Sequence, residues 1–110
     1  MDRNGPRSRP EEDRQAVIER LQRETARWSK YVDTLLHAFR GRDDVPPKLD
    51  HRMEALRNKR DSVETKLQAL RRHKDRQWTR ARAELEEAQR ELRDSWRLVI
   101  HTLDRESLFV

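Results

Sequence analysis

The chain has 110 residues, enough for one domain and not two. Only 33% are hydrophobic and 5% aromatic against 43% charged, too little apolar mass for a thick globular core. There is no cysteine, which excludes a disulfide scaffold, a thiolate metal site and a cysteine nucleophile, and the net charge of +5 leaves an acidic partner in play.

Residues 1–7 mix Gly5, Pro6 and arginines without periodicity and read as a flexible tail. The segment lacks an apolar stretch, so no secretory leader is expected. The longest apolar runs, 16–18, 98–100 and 108–110, are three residues each, so no membrane span is expected and a cytoplasmic protein is the default. No stretch alternates with period two, which argues against strands.

A first helix is predicted over about 8–40. Ser8 and Glu11 fit a capping box, and Pro10 falls in the first turn, where its missing N–H is harmless. Glu11, Glu12 and Asp13 put negative charge at the positive end of the helix dipole. Ile18, Leu21, Thr25, Trp28, Val32, Leu35 and Phe39 then step by three and four, a coiled-coil seam with one polar member. Gly41 stops the helix. The link 41–47 is short and holds Pro46 and Pro47, so the next helix should turn back antiparallel.

From about 48 to 105 there is neither glycine nor proline. Leu49, Met53, Leu56, Val63, Leu67 and Leu70 form one seam, and Trp78, Ala81, Leu85, Ala88, Leu92, Trp96, Val99 and Leu103 form the next. The extra step of four through Lys74 is a stutter, and Arg60 and Lys74 are polar seam members that can fix register. The fold expected is all-α: an antiparallel, coiled-coil-like helical hairpin with a longer second helix. The alternative is a three-helix bundle with a break near 72–75. A first helix of roughly 50 Å cannot cover a second of roughly 85 Å. The stripe Ala81, Leu85, Ala88, Leu92, Trp96, Val99 and Leu103 then lacks a cover in the chain, which predicts a homodimer or another protein partner. The three tryptophans read as core anchors, with Trp28 meeting helix two around residues 53–60.

Charge is segregated. Between residues 71 and 82 lie six basic residues and one acid, Asp75, which equals the excess of the whole protein. The next turns are acidic, with Glu84, Glu86, Glu87, Glu91 and Asp94 against Arg90 and Arg93. On a continuous helix Arg72, Arg76 and Arg80 share a face and are candidate phosphate contacts. The most apolar segment, around Trp96, Leu98, Val99, Ile100 and Leu103 with Leu108 and Phe109 beyond, is a candidate for association with a membrane surface.

Catalytic and metal chemistry find no foothold. His37, His51, His73 and His101 do not pair at helical spacing, and two histidines flanking the turn are too few for a tight metal site. With two glycines there is no phosphate-cradling loop, and the serines show no arrangement with histidine and aspartate. No enzyme activity, cofactor or metal is expected.

Trp28, the segment Leu56-Arg57-Asn58-Lys59-Arg60-Asp61, then Lys66-Leu67-Gln68-Ala69-Leu70 and Trp78, resembles a family of small bacterial coiled-coil proteins catalogued as stress-response proteins without a defined activity. The resemblance covers residues 17–78, with weaker similarity to about 99. It implies an all-helical, non-catalytic protein with a role in stress tolerance, and it transfers no site residues. The combined expectation is a structural or interaction protein that acts by self-association. Nonspecific nucleic-acid binding through 71–82 is the alternative, followed by membrane-surface association.

Overall fold

The computed structural model describes residues 10–73 and 76–106, which form three helices and no strand. They are α1 (Pro10–Ala38), α2 (Pro47–Arg72) and α3 (Gln77–Arg105). Ser8, the start of the expected capping box, and the tail 1–7 lie outside the described residues, as do Lys74 of the stutter and Leu108 and Phe109.

α1 ends a few residues early. The amides of Phe39 and Arg40 bond to the carbonyls of Leu36 and His37 at 3.3 and 3.2 Å, a tightened last turn that takes up free carbonyls. Gly41 follows at φ +76°, a conformation that costs a side-chain-bearing residue strain. The chain then runs extended through Pro46 (φ −63°, ψ 147°), and Pro47 opens α2 at a position where no amide is needed.

The stretch expected first as one helix over about 48–105 is two helices, α2 and α3, as in the alternative with a break near 72–75. α2 stops at Arg72. His73 leaves the helix at φ −91°, ψ 128°, its amide still bonded to the Leu70 carbonyl at 3.2 Å. That backbone is in the β region, open to any residue, so the helix ends without the glycine that marks a left-handed exit. α3 then packs back along α2. The physical reason is the apolar stripe itself. Leu85, Leu92, Val99 and Leu103 are fully buried in the folded-back arrangement. Each such side chain contributes about 1.5–3 kcal/mol on burial. A few helical hydrogen bonds given up at the joint cost about 0.5–1.5 kcal/mol each. The molecule measures 64 × 24 × 18 Å, shorter than a straight second helix would be.

Polar pairs set the register. Arg52 donates to the Thr102 hydroxyl at 2.6 Å, Lys59 to Glu91 at 3.1 Å, and Lys66 lies 3.9 Å from Glu84, so α2 and α3 are antiparallel. Ser29 bonds to Glu64 and Arg60 to Asp33, so α1 and α2 are also antiparallel. The α1–α2 register therefore runs further along α2 than the sequence suggests, and the Trp28 ring finds Trp96 of α3 instead of residues 53–60. α1 and α3 run parallel, linked by Arg20 to Glu86 at 4.0 Å and by Arg14 over the Trp78 ring.

The core is thin and continuous. Leu21 and Val32 of α1, Leu49, Leu56, Val63 and Leu70 of α2, and Leu85, Leu92, Val99 and Leu103 of α3 are almost wholly removed from solvent. α2 and α3 supply most of it, and α1 closes the remaining side with Val17, Ile18, Trp28, Leu35 and Phe39 partly covered.

Candidate nucleic-acid interface

The stripe expected to await a second copy is spent inside the chain. Ala81, Leu85, Ala88, Leu92, Val99 and Leu103 are buried, and Trp96 is partly so. The premise that nothing in the chain covers these residues does not hold, because the fold-back at His73 supplies α2 as the cover. The same burial turns Val99 and Leu103 away from any lipid surface and leaves Leu98 as the exposed large apolar residue among the described residues of that segment. No helix among the described residues is long and apolar enough to cross a membrane.

The arginines of residues 71–82 separate into two groups. Arg82 and Arg80 are committed to their own helix: Arg82 bonds to Glu86 at 3.2 Å and lies over the Trp78 ring, and Arg80 bonds to Glu84 at 3.3 Å. Arg71, Arg72 and Arg76 are exposed and make no ion pair among the described residues. Arg72, Arg76 and Arg80 do not line one helical face, because the turn separates Arg72 from the other two. They cluster instead around one end of the bundle. α3 begins at that end with no acidic residue in its first turn.

A second basic feature escaped the sequence reading. Arg20, Arg23, Arg27 and Lys30 step by three, four and three along the outer side of α1, and all are exposed. Arg20 reaches Glu86 only at 4.0 Å, and Arg23, Arg27 and Lys30 make no ion pair among the described residues. The signal was present as a three–four spacing of cations opposite the Ile18–Leu21–Trp28 seam. It was masked by the eye-catching density of residues 71–82.

The ridge ends at an aromatic cluster. Trp28 stands edge-on to Tyr31 (5.9 Å between ring centroids, 81° between planes) and to Trp96 (5.6 Å, 78°), while Tyr31 and Trp96 tilt at 39° across 6.3 Å. Tyr31 is 47% exposed. Beside it Trp96, Arg97, Ile100, His101 and Asp104 line a shallow depression of about 520 Å³.

Elsewhere several surface charges pair locally. On α3, Arg90 pairs with Glu87, and Arg97 pairs with Asp94 at 3.2 Å. In the interhelical loop Arg42 donates to Asp44 at 2.9 Å. That hydrogen bond holds the exposed Asp44 carboxyl below its ordinary value, and the same bond raises Arg42. Burial lowers the Arg60 guanidinium, but its hydrogen bonds to Asp33 and Asp61 outweigh this and raise it overall. His37, His51 and His101 are exposed, and no group of three metal-ligating side chains gathers among the described residues. Comparison of the chain with protein-family models, with curated proteins and with solved structures finds no match.

Proposed function

We propose that this protein is a non-catalytic binding module that engages nucleic acid through its phosphate backbone, at the bundle end carrying Arg71, Arg72 and Arg76. The observation that carries the reading is that these three exposed arginines gather at one end of the bundle and make no ion pair among the described residues. A chain of phosphates supplies the missing counter-charge. Such binding is indifferent to base sequence and strongly weakened by salt, because each neutralised phosphate releases condensed counterions.

A salt titration against random duplex DNA tests this. With three or four phosphate contacts, the log–log slope of affinity against salt is about −3. Replacing Arg71, Arg72 and Arg76 together by glutamine should flatten the slope and weaken binding uniformly. Absence of binding at low salt, or a slope unchanged by the triple replacement, rejects the reading.

Self-association is the second reading, favoured by one specific observation: the joint between α2 and α3 contains neither glycine nor proline. A chain straightened there becomes the long hairpin, and its uncovered Leu85–Leu92–Leu103 stripe then needs a second copy. Sedimentation at micromolar concentration separates the two states, since the closed bundle is a monomer and the straightened one a dimer. A part in stress tolerance rests on the family resemblance alone.

A further inference from the structure

We infer that the surface formed by Tyr31 and Trp96 at the end of the α1 basic ridge is a nucleobase-stacking site, which makes the ligand single-stranded nucleic acid. This rests on the nucleic-acid reading above and adds a second, chemically different contact to it.

Three features of the surface converge. Tyr31 presents an aromatic ring to solvent with nearly half of the residue exposed, on a helix whose other large apolar residues are turned inward. The ring is backed by Trp96 and Trp28, so it is held in place before any ligand arrives. Cations without an ion pair among the described residues lie on the same helices: Arg27 one turn before Tyr31, Lys30 next to it in sequence, and Arg93 one turn before Trp96. Two neighbouring carboxylates are engaged, Asp33 by Arg60 and Asp94 by Arg97, while Asp104 lies on the far side of Trp96 in the adjoining depression.

An aromatic face among unpaired cations matches the chemistry of a single strand, whose bases are free to stack while its phosphates follow a positive track. Duplex DNA offers phosphates but keeps its bases inside. An apolar protein surface would leave Arg27, Lys30 and Arg93 without counter-charge. The base does not enter between Tyr31 and Trp96. Their centroids are 6.3 Å apart, whereas two stacking separations of about 3.5 Å each need about 7 Å. It lies on the outer face of Tyr31. From there the strand runs along Arg27, Arg23 and Arg20 toward the arginine-rich end.

The test uses the full chain and a fluorescently labelled oligothymidylate of about 15 nucleotides, with a duplex of equal length as the comparison. Anisotropy is read for the wild type, for Tyr31→Ala, for Tyr31→Phe and for the Arg71/Arg72/Arg76 glutamine variant. Far-UV circular dichroism checks that each is folded. The single strand should bind more tightly than the duplex. Tyr31→Ala should weaken single-strand binding by about 5- to 100-fold. It should leave duplex binding unchanged, and Tyr31→Phe should restore the single-strand affinity. Equal binding of both forms, or a Tyr31→Ala variant that holds the single strand normally, overturns the stacking site while the electrostatic reading stands. Loss on Tyr31→Ala with no effect of the arginine variant upholds the site and rejects the bundle end as the principal contact. Absence of binding to either form rejects both.

Discussion

Trp28 of α1 and Trp96 of α3 meet edge to face, their ring centroids 5.6 Å apart and their planes at 78°. With the Tyr31–Trp96 contact beside it and Arg14 over the Trp78 ring further along, this pair fastens α1 to α3. Edge-to-face aromatic pairs contribute about 0.5–1.5 kcal/mol beyond the area they bury. A double-mutant cycle with Trp28→Leu and Trp96→Leu should return a coupling in that range by urea denaturation. Each ring is only partly buried, so Trp28→Ala should cost less than the ~3–5 kcal/mol of a fully enclosed tryptophan. A coupling near zero would mean that α1 does not dock on α3 in solution.

Leu85 and Leu92 are in contact with no solvent, and their cover is α2 of the same chain. Leu85→Ala should therefore destabilise by about 2–5 kcal/mol. The unfolding midpoint should not move with protein concentration, because an internal core has no mass-action term. A midpoint that climbs with concentration would place the same leucines between two chains and restore the straightened hairpin.

The helices were legible in the sequence because their seams repeat every three or four residues. The turn at Gly41 was legible because a positive φ leaves a compositional mark. The fold-back at His73 left only the stutter through Lys74, which raised the three-helix alternative without deciding for it. A chain that exits a helix through the β region needs no special residue, so a rule that looks for glycine and proline reads straight through it. The consequence for function was large. The same seven residues, from Ala81 to Leu103, read as an exposed stripe on a straight helix and as an internal core on a folded one. Their periodicity was recoverable, and the identity of what covers them was not. Periodicity fixes which face is buried but carries no information about the chain that buries it. The α1 ridge, by contrast, was open to the same spacing argument, since Arg20, Arg23, Arg27 and Lys30 recur as regularly as the seam behind them.

Thr25 occupies a seam position of α1 at 5% exposure, and its hydroxyl oxygen has no hydrogen-bond partner among the described residues. Burying a hydroxyl without a partner costs about 1–3 kcal/mol. Valine has the same branched shape without that cost. Thr25→Val should raise stability by about 1 kcal/mol, seen as an upward shift in the thermal midpoint of the folded chain. A drop in the midpoint would show that the hydroxyl is bonded, and that the seam at Thr25 is wetter than its burial suggests.

Asp44 gives the pH dependence a sign. The hydrogen bond from Arg42 holds its carboxyl below the ordinary 3.8 in the folded chain. A group depressed on folding contributes stability that is present above the unfolded value and lost as pH falls through the folded one. Both partners are fully exposed, so the effect belongs to the loop and not to the bundle. Carbon-detected NMR of the Asp44 carboxyl should give a titration midpoint below 3.8, returning to the ordinary value in Arg42→Gln.

Arg60 answers a question the seam pattern raises, namely what an arginine does at a position otherwise reserved for leucine or valine. Its side chain is 14% exposed, and its guanidinium bonds to Asp33 across the helix pair and to Asp61 beside it, at 2.8 Å for the latter. The stem packs while the head reaches the two carboxylates at the edge. Asp33 itself is 65% exposed, so the cross-helix pair is screened, and its coupling should be modest, below about 1 kcal/mol. What the pair supplies is register: sliding α1 by one turn on α2 would leave the half-buried Arg60 without its partner across the seam. Arg60→Leu should therefore keep or raise the denaturation midpoint. It should also broaden the α1 amide resonances, because a leucine at the seam accepts more than one alignment. An Arg60→Leu protein that loses several kcal/mol would show instead that the ion pair is a principal source of stability and not a device for alignment.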